Sequence, residues 1–192
     1  MDFSIVIPAK NEEQGLSKTL PLLRELYPEA EVIVVDDGST DDTVRVCTDA
    51  QVTVVSHPYS KGNGAAVKAG ARAASGNYIV FMDGDGQHDP RDIERLLYKM
   101  EEGYDLVVGA RSGLSSQASI VRWSANNFYN KLAGWMVNRE IPDLTSGFRC
   151  VNRRKFLDFL YLLPNGFSYP TTSTMAFFRA GYSVGFVPIT VS

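Results

Sequence analysis

Tyr78-Ile79-Val80-Phe81-Met82-Asp83-Gly84-Asp85-Gly86-Gln87-His88 sets an apolar, β-branched and aromatic run directly against a pair of aspartates. The run reads as a buried strand that ends at Met82. Carboxylates at i and i+2, with the amide oxygen of Gln87 two residues further on, make a set of hard oxygen ligands. Such a set suits a hard divalent cation, so Asp83, Asp85 and Gln87 are the candidate ligands of Mg²⁺ or Mn²⁺. A cation held by so few protein groups keeps positions open for a phosphate-bearing substrate.

On either side of this strand the same alternation repeats. Phe3–Pro8, Glu31–Asp36, Gln51–Ser56 and Asp105–Ala110 read as strands. Glu12–Tyr27, Asp41–Ala50, Gly64–Ala74 and Asp89–Glu102 read as the helices between them, the first despite Pro21 and the last with Pro90 near its first turn. Strands alternating with helices of this length predict βαβ units in an α/β fold, with a mostly parallel central sheet covered on both faces as a three-layer sandwich. Beyond residue 110 the pattern changes. Ser119–Asn138 reads as a longer amphipathic helix on which Arg122, Asn126 and Asn130 share a face. Ser146–Val151 reads as a short strand, Arg153–Leu163 and Thr172–Ala180 as helices, and Tyr182–Val191 as a last strand. Gly113–Ser119, rich in Ser and Gly, is the expected mobile loop.

The 192 residues, 44% hydrophobic and 21% charged, match one soluble globular domain. Cys47 and Cys150 form no C-x-x-C pair, which points to a reducing compartment and to neither a zinc site nor a disulfide framework. The start lacks the basic and apolar regions of a signal peptide, and no apolar stretch is long enough for a membrane span. Residues 1–110 carry 10 Lys/Arg against 19 Asp/Glu, whereas residues 111–155 carry 8 against 2. The basic segment is either a solvated face or a surface for a phosphate or an anionic membrane. No basic stripe runs along the chain, so nucleic acid is not an expected partner.

Open α/β sheets bind ligands outside the carboxyl ends of their strands. Three of the predicted strands end in polar sequence there: Pro8-Ala9-Lys10-Asn11-Glu12, Asp36-Asp37-Gly38-Ser39 and Asp83-Gly84-Asp85-Gly86-Gln87. Each alone is a plausible capping turn. At one edge together they describe a nucleotide pocket, with a metal site for a diphosphate. Lys61-Gly62-Asn63-Gly64 precedes a helix, where backbone N–H groups can meet an anion, although a tight turn explains the glycines nearly as well. The spacing is not that of a P-loop, and the first turn lacks the glycines of a dinucleotide-binding fold. Asp83, Asp85, Gln87 and Glu94 fall at EF-hand positions, but His88 occupies the place of the required glycine and a strand precedes the loop. His57 and His88 are expected to be structural or to support a ligand, since two unpaired histidines make no zinc site.

These motifs in order resemble the family 2 glycosyltransferases of GT-A (Rossmann-like) fold, and within them the polyprenyl-phosphate (dolichyl-phosphate) sugar synthases. The resemblance runs over nearly the whole chain and continues through Gly109-Ala110-Arg111, Asp143-Leu144-Thr145-Ser146-Gly147-Phe148-Arg149 and Val187-Pro188-Ile189. It implies one catalytic domain over 1–192, with a nucleotide-sugar half (1–110) and an acceptor half (111–192). Pro8, Lys10, Glu12, Val35, Asp37 and Lys61 are implied to line the donor side, and Asp83, Gly84, Asp85, Gln87 and Arg111 to hold the metal and diphosphate. Asp85, Arg111 and Arg122 are implied to be catalytic, with Arg111, Arg122 and Asn126 meeting the acceptor phosphate. Lys10 stands where mannosyl members commonly have tyrosine, so a UDP-linked and a GDP-linked sugar both stay open as donor. Relatives commonly continue past the Val-Pro-Ile strand into a basic loop and membrane segments, which the sequence to Ser192 does not include. Oligomeric state is not legible.

The chemistry implied is an inverting, single-displacement transfer from a nucleotide-diphosphate sugar to a polyprenyl phosphate, at the cytoplasmic face of a membrane. A lipid monophosphate, with a second pKa near ~6, is largely anionic at neutral pH and needs positioning and charge neutralisation more than a base. Arginines suit that task. The alternative is a family 2 transferase acting on a soluble sugar or glycan hydroxyl, which requires a carboxylate base. Asp143 is the candidate for that base, and orienting an arginine or capping a helix are its other readings. A sugar-1-phosphate nucleotidyltransferase would need a Gly-rich basic loop after the first strand. A non-catalytic nucleotide-binding module is the remaining class.

Overall fold

The computed structural model describes residues 1–111 and 141–189. The elements are β1 (Phe3–Ala9), α1 (Glu13–Leu26), β2 (Glu31–Asp36), α2 (Thr43–Asp49), β3 (Thr53–Ser56), α3 (Asn63–Ala73), β4 (Tyr78–Phe81), α4 (Asp92–Glu101) and β5 (Leu106–Arg111). There follow β6 (Arg149–Asn152), α5 (Arg153–Leu157), a 3₁₀ turn (Leu160–Leu162), α6 (Tyr169–Arg179) and β7 (Val184–Ile189). The predicted helix Ser119–Asn138, the loop before it, and Arg122 and Asn126 lie outside the described residues.

The strands form one sheet in the order β3-β2-β1-β4-β6-β5-β7. β1 to β4 are mutually parallel and β5 pairs in parallel with β7, whereas β6 is inserted antiparallel between β4 and β5. Alternate residues of each strand face opposite layers. Ile5, Ile7, Val32 and Val34 pack with Leu16, Leu20 and Leu23 of α1 and with Ile93 and Leu96 of α4. Val6, Ile33, Val35, Ile79 and Phe81 pack with Ala66, Val67 and Ala71 of α3 and with Phe156 and Phe177. Both faces are therefore dry, as continuous Val/Ile runs demand.

Two local expectations change. The segment Arg153–Leu163 is not one helix. It breaks after Leu157 and tightens into i→i−3 bonds, Leu162 N–H to Phe159 O at 2.9 Å among them. Leu163 is extended (ψ 128) ahead of Pro164, which disfavours helical backbone at the residue before it. The strand expected over Ser146–Val151 is real but shorter. It runs against its neighbours, placing Arg149 opposite both Phe81 and Val108.

Candidate active site

β1 and β4 are neighbours, so the loops Lys10–Glu12 and Met82–Gln87 leave the sheet side by side. α1 crosses the second loop so closely that a Cβ on Gly15 would lie 2.2 Å from the Gly84 carbonyl oxygen. Only glycine permits that approach. Within the loop, Gly86 takes φ +77°, and the Gln87 N–H turns back to donate to Asp85 Oδ1 at 3.0 Å. Gly84 lies against Glu12, since a Cβ there would sit 3.3 Å from Glu12 Cγ. Burial, then the charges of Asp85, Asp41 and Asp83, push the Glu12 carboxyl above its ordinary value. This edge is thus crowded with negative charge.

Asp83 is half-buried and braced on two sides. His88 Nε2 lies 3.2 Å from Asp83 Oδ2, and the His88 ring stacks on Phe148 with centroids 5.0 Å apart. Gly147 approaches from the other strand, and a Cβ there would come within 2.8 Å of Asp83 Oδ2. Asp85 and Gln87 are exposed. Among the described residues no three His, Cys, Asp or Glu side chains form a metal cage by themselves. Two carboxylates in an under-neutralised acidic edge fit a hard cation whose remaining positions are filled by water and substrate phosphate.

The end of β2 is built differently. Asp37 Oδ1 accepts from His57 Nδ1 at 2.7 Å and from the Lys61 N–H at 2.8 Å. Its Oδ2 accepts from Ser60 Oγ at 2.7 Å and the Gly62 N–H at 2.9 Å. Burial alone would raise this carboxyl, but the His57, Lys61, Ser60 and Gly62 donors outweigh it and bring it down to about 2. Four donors occupy a carboxylate's four acceptor sites, so Asp37 ties the 57–62 loop to the sheet. Beside it, Asn11 (φ 57°) accepts the Thr40 N–H at 2.8 Å, joining the first two strand-end loops. Val35 is fully buried against α3, a core position rather than an open surface. Pro8 is buried next to Gly84, and Lys10 and Lys61 are exposed.

The glycines before α3 serve chain packing rather than an anion. A Cβ at Gly62 would lie 2.4 Å from Asn165 O, and one at Gly64 2.1 Å from Pro164 O. The Ala65 N–H at the helix start donates to Asn165 O at 3.2 Å. The 164–166 segment therefore sits where a phosphate would have to bind.

On the far side of Asp83, Arg111 leaves the end of β5 and meets Asp143 through two prongs, Nε to Oδ2 at 2.8 Å and Nη2 to Oδ1 at 3.2 Å. Its Nη2 also donates to Thr145 Oγ1 at 2.7 Å. The hydrogen bonds donated to Asp143, then the charges of Asp143 and Asp83, raise the already high Arg111 pKa against the opposing effect of burial. Burial would raise the Asp143 carboxyl, but Arg111 and the Thr145 donors hold it below the usual carboxylate range. Of the readings open for Asp143, the geometry selects orientation of an arginine.

Sequence reasoning did not single out Arg149, which is fully buried at the start of β6. Its guanidinium donates to Ser146 O, to Pro170 O at 2.9 Å, to Ser173 Oγ at 2.8 Å and to Thr174 Oγ1 at 3.1 Å. It thereby locks the loop that carries Asp143 and Gly147 onto the first turn of α6. An arginine after an apolar residue looks like a surface charge in sequence, and only the antiparallel insertion of β6 buries it.

A mostly parallel sheet with one inserted antiparallel strand, acidic loops at one edge and an Arg–Asp pair delivered beside them constitutes the GT-A class of glycosyltransferase fold. The chain belongs to glycosyl transferase family 2, whose family model matches residues 4–160. It is 34% identical over 163 residues to an uncharacterised glycosyltransferase of Synechocystis sp., covering 80% of this chain and 51% of that protein. It is 30% identical over 203 residues to the undecaprenyl-phosphate mannosyltransferase of Micrococcus luteus, covering 96% of this chain and 81% of that protein. The chain spans about half the length of several curated relatives it matches, 51% and 50% in two cases. Among solved structures it resembles glucosyl-3-phosphoglycerate synthase of Mycobacterium tuberculosis in complex with UDP. The TM-score is 0.80 at 25% identity, over 99% of this chain and 70% of that one. Another crystal structure of that enzyme contains Mn²⁺, UDP and glucosyl-3-phosphoglycerate (TM-score 0.77, 24% identity, 99% of this chain and 71% of that one).

Proposed function

We propose that this chain carries out metal-dependent, inverting transfer of a sugar from a nucleotide-diphosphate sugar to a polyprenyl phosphate at the cytoplasmic face of a membrane. The observation that carries this reading is the state of Asp143. A hydroxyl acceptor needs a carboxylate free to take its proton. Asp143 is instead bound by Arg111 and held at low pKa, so it is a poor base and serves to aim a guanidinium. A phosphate acceptor needs that guanidinium and no base.

In this reading Asp83 and Asp85, with Gln87, hold Mg²⁺ or Mn²⁺, which when bound offsets charge on the departing diphosphate. Glu12 and Lys10 border the donor from β1. Asp37 holds the 57–62 loop, and with it Lys61, at the nucleotide side. Arg111 faces Asp83 across the gap and neutralises phosphate charge there. Arg122 and Asn126 are proposed to extend this acceptor surface. The relatives named for undecaprenyl-phosphate transfer support the lipid acceptor, and the UDP-containing structural neighbour favours a uracil donor.

The test is transfer of labelled sugar from UDP- and GDP-linked donors, with Mn²⁺, to a short polyprenyl phosphate, with product analysis. Transfer to the lipid phosphate and none to free sugars is expected. A second reading, a soluble acceptor, is favoured by the likeness to a synthase whose named product is glucosyl-3-phosphoglycerate. Preferred transfer to 3-phosphoglycerate in the same assay would establish it and overturn the first.

A further inference from the structure

Two segments that meet at the catalytic edge carry no acidic residue in a chain whose net charge is −3. From Gln51 to Met82 the charged residues are Lys61, Lys68 and Arg72, and from Phe159 to Ser192 the single one is Arg179. They are joined where Asn165 and Gly166 close over Gly62 and Gly64, and Lys68 Nζ fastens the join through Leu163 O at 3.0 Å and Asn165 Oδ1 at 2.6 Å. Out of this carboxylate-free surface stand the large exposed apolar side chains Phe167 (83% exposed), Tyr161 (80%), Tyr59 (67%) and Leu162 (47%). Exposing a phenylalanine this fully costs solvation that a folded chain ordinarily avoids by burial. Four such residues at or near one loop, with Lys61 and Lys68 close by, form an apolar patch with basic neighbours.

We infer that the 159–168 loop, with Tyr59 and Lys61 beside it, is a docking surface for an anionic lipid bilayer. Aromatic and leucine side chains enter the headgroup–acyl boundary while the basic residues meet anionic headgroups. Residues 159–168 themselves bring no carboxylate to that contact, Asp158 being the acidic residue just before them. Geometry ties the surface to the site. Two residues after Phe167, Tyr169 begins α6, and its hydroxyl donates to Gly147 O at 3.4 Å. Gly147 in turn lies against Asp83. A bilayer engaged by Phe167 therefore lies on the side of the fold that carries the carboxylate loop. No helix among the described residues is long and apolar enough to cross a membrane, so the attachment inferred here is peripheral. The inference rests on the lipid-phosphate reading for its biological purpose, although not for its physics.

The test uses the 192-residue chain with vesicles of phosphatidylcholine alone or mixed with phosphatidylglycerol. The chain is expected to co-float with the anionic vesicles and less with the neutral ones. Leu162→Ser/Phe167→Ser is expected to weaken partitioning by about tenfold or more, since the buried apolar area sets the binding. Lys61→Glu is expected to weaken it several-fold in the anionic vesicles only. Phe167→Trp gives a direct readout once the emission of the parent chain, which has two tryptophans, is subtracted. The added indole is expected to shift to the blue and to be quenched by brominated lipid in anionic vesicles. Partitioning that ignores the Leu162/Phe167 pair, or a difference emission of the Phe167→Trp variant unchanged by vesicles, overturns the inference. Transfer to a short water-soluble prenyl phosphate is measured in parallel and is expected to be unchanged in the Leu162/Phe167 variant. Docking without transfer overturns the function proposed above and leaves this surface standing; transfer without docking does the reverse.

Discussion

Asp37 and the pair Asp83–Asp85 terminate two parallel strands of one sheet, and in sequence both look like ligand-binding carboxylates. Their surroundings are opposite. Asp37 is buried and receives four donors within 2.9 Å, so its charge is fully answered by its own chain. Among the described residues, Asp83 has one histidine nitrogen at 3.2 Å and Asp85 a single neighbouring N–H at 3.0 Å, while burial, then the charges of Asp85, Asp41 and Asp83, push Glu12 beside them toward protonation. Position in the strand is shared; what differs is the number of donors the fold supplies. A saturated carboxylate holds structure, whereas one with open acceptor sites suits a cation.

The contrast is broken or sharpened most strongly by Asp85→Ala. Transfer is expected to fall by about 10²–10³-fold or more, while the thermal midpoint stays near wild type because the residue is exposed. Mn²⁺-dependent turnover within about threefold of wild type in that variant would remove Asp85 from the metal site. Asp37→Ala should behave inversely, lowering unfolding free energy by about 2–4 kcal/mol in urea titration as its buried donors lose their acceptor. An Asp37→Ala protein of full stability and no activity would make the two sites equivalent and end the distinction.

Gly147→Ala is a finer probe, because the added methyl presses on the Asp83 carboxylate without touching Asp85. A displacement of that size is expected to reduce turnover by about 10–100-fold and to raise the Mn²⁺ concentration needed for half-activity. Unaltered metal dependence would show that Asp83 does not bind the ion. The smallest effect is in acid. The Asp37 carboxyl is depressed to about 2, so its contribution to stability is complete above its unfolded value and is lost as pH falls through about 2. Asp37→Asn should therefore lose less stability than wild type between pH 4 and pH 2, and parallel acid limbs for the two proteins would contradict the depressed pKa.

The βαβ half was readable because its information is local. Val/Ile runs such as Glu31–Asp36 and helical spacing such as Leu16, Leu20 and Leu23 report burial directly, and boundaries shifted by only one to three residues. The second half of the chain was less readable, since its decisive contacts are distant in sequence. Arg111 finds Asp143 thirty-two residues away, and Arg149 finds α6 more than twenty residues on. Nothing in the spacing of β6 reveals that it runs antiparallel. The glycines at 62 and 64 were ambiguous for the same reason, because the chain that fills their empty side-chain space lies a hundred residues downstream.

By itself the sequence determined the α/β class, the parallel first half and the convergence of acidic strand ends at one edge. Those follow from residue periodicity and from the rule that parallel strands present their carboxyl ends together. Tertiary structure alone decided which carboxylates are spent on the fold and which are left for chemistry. It also turned Asp143 from a candidate base into the partner of Arg111 and raised Phe167 beside the site. The physical reason is that a charge acquires its role from the donors and acceptors that surround it in space, and a chain can bring those from any distance along its length.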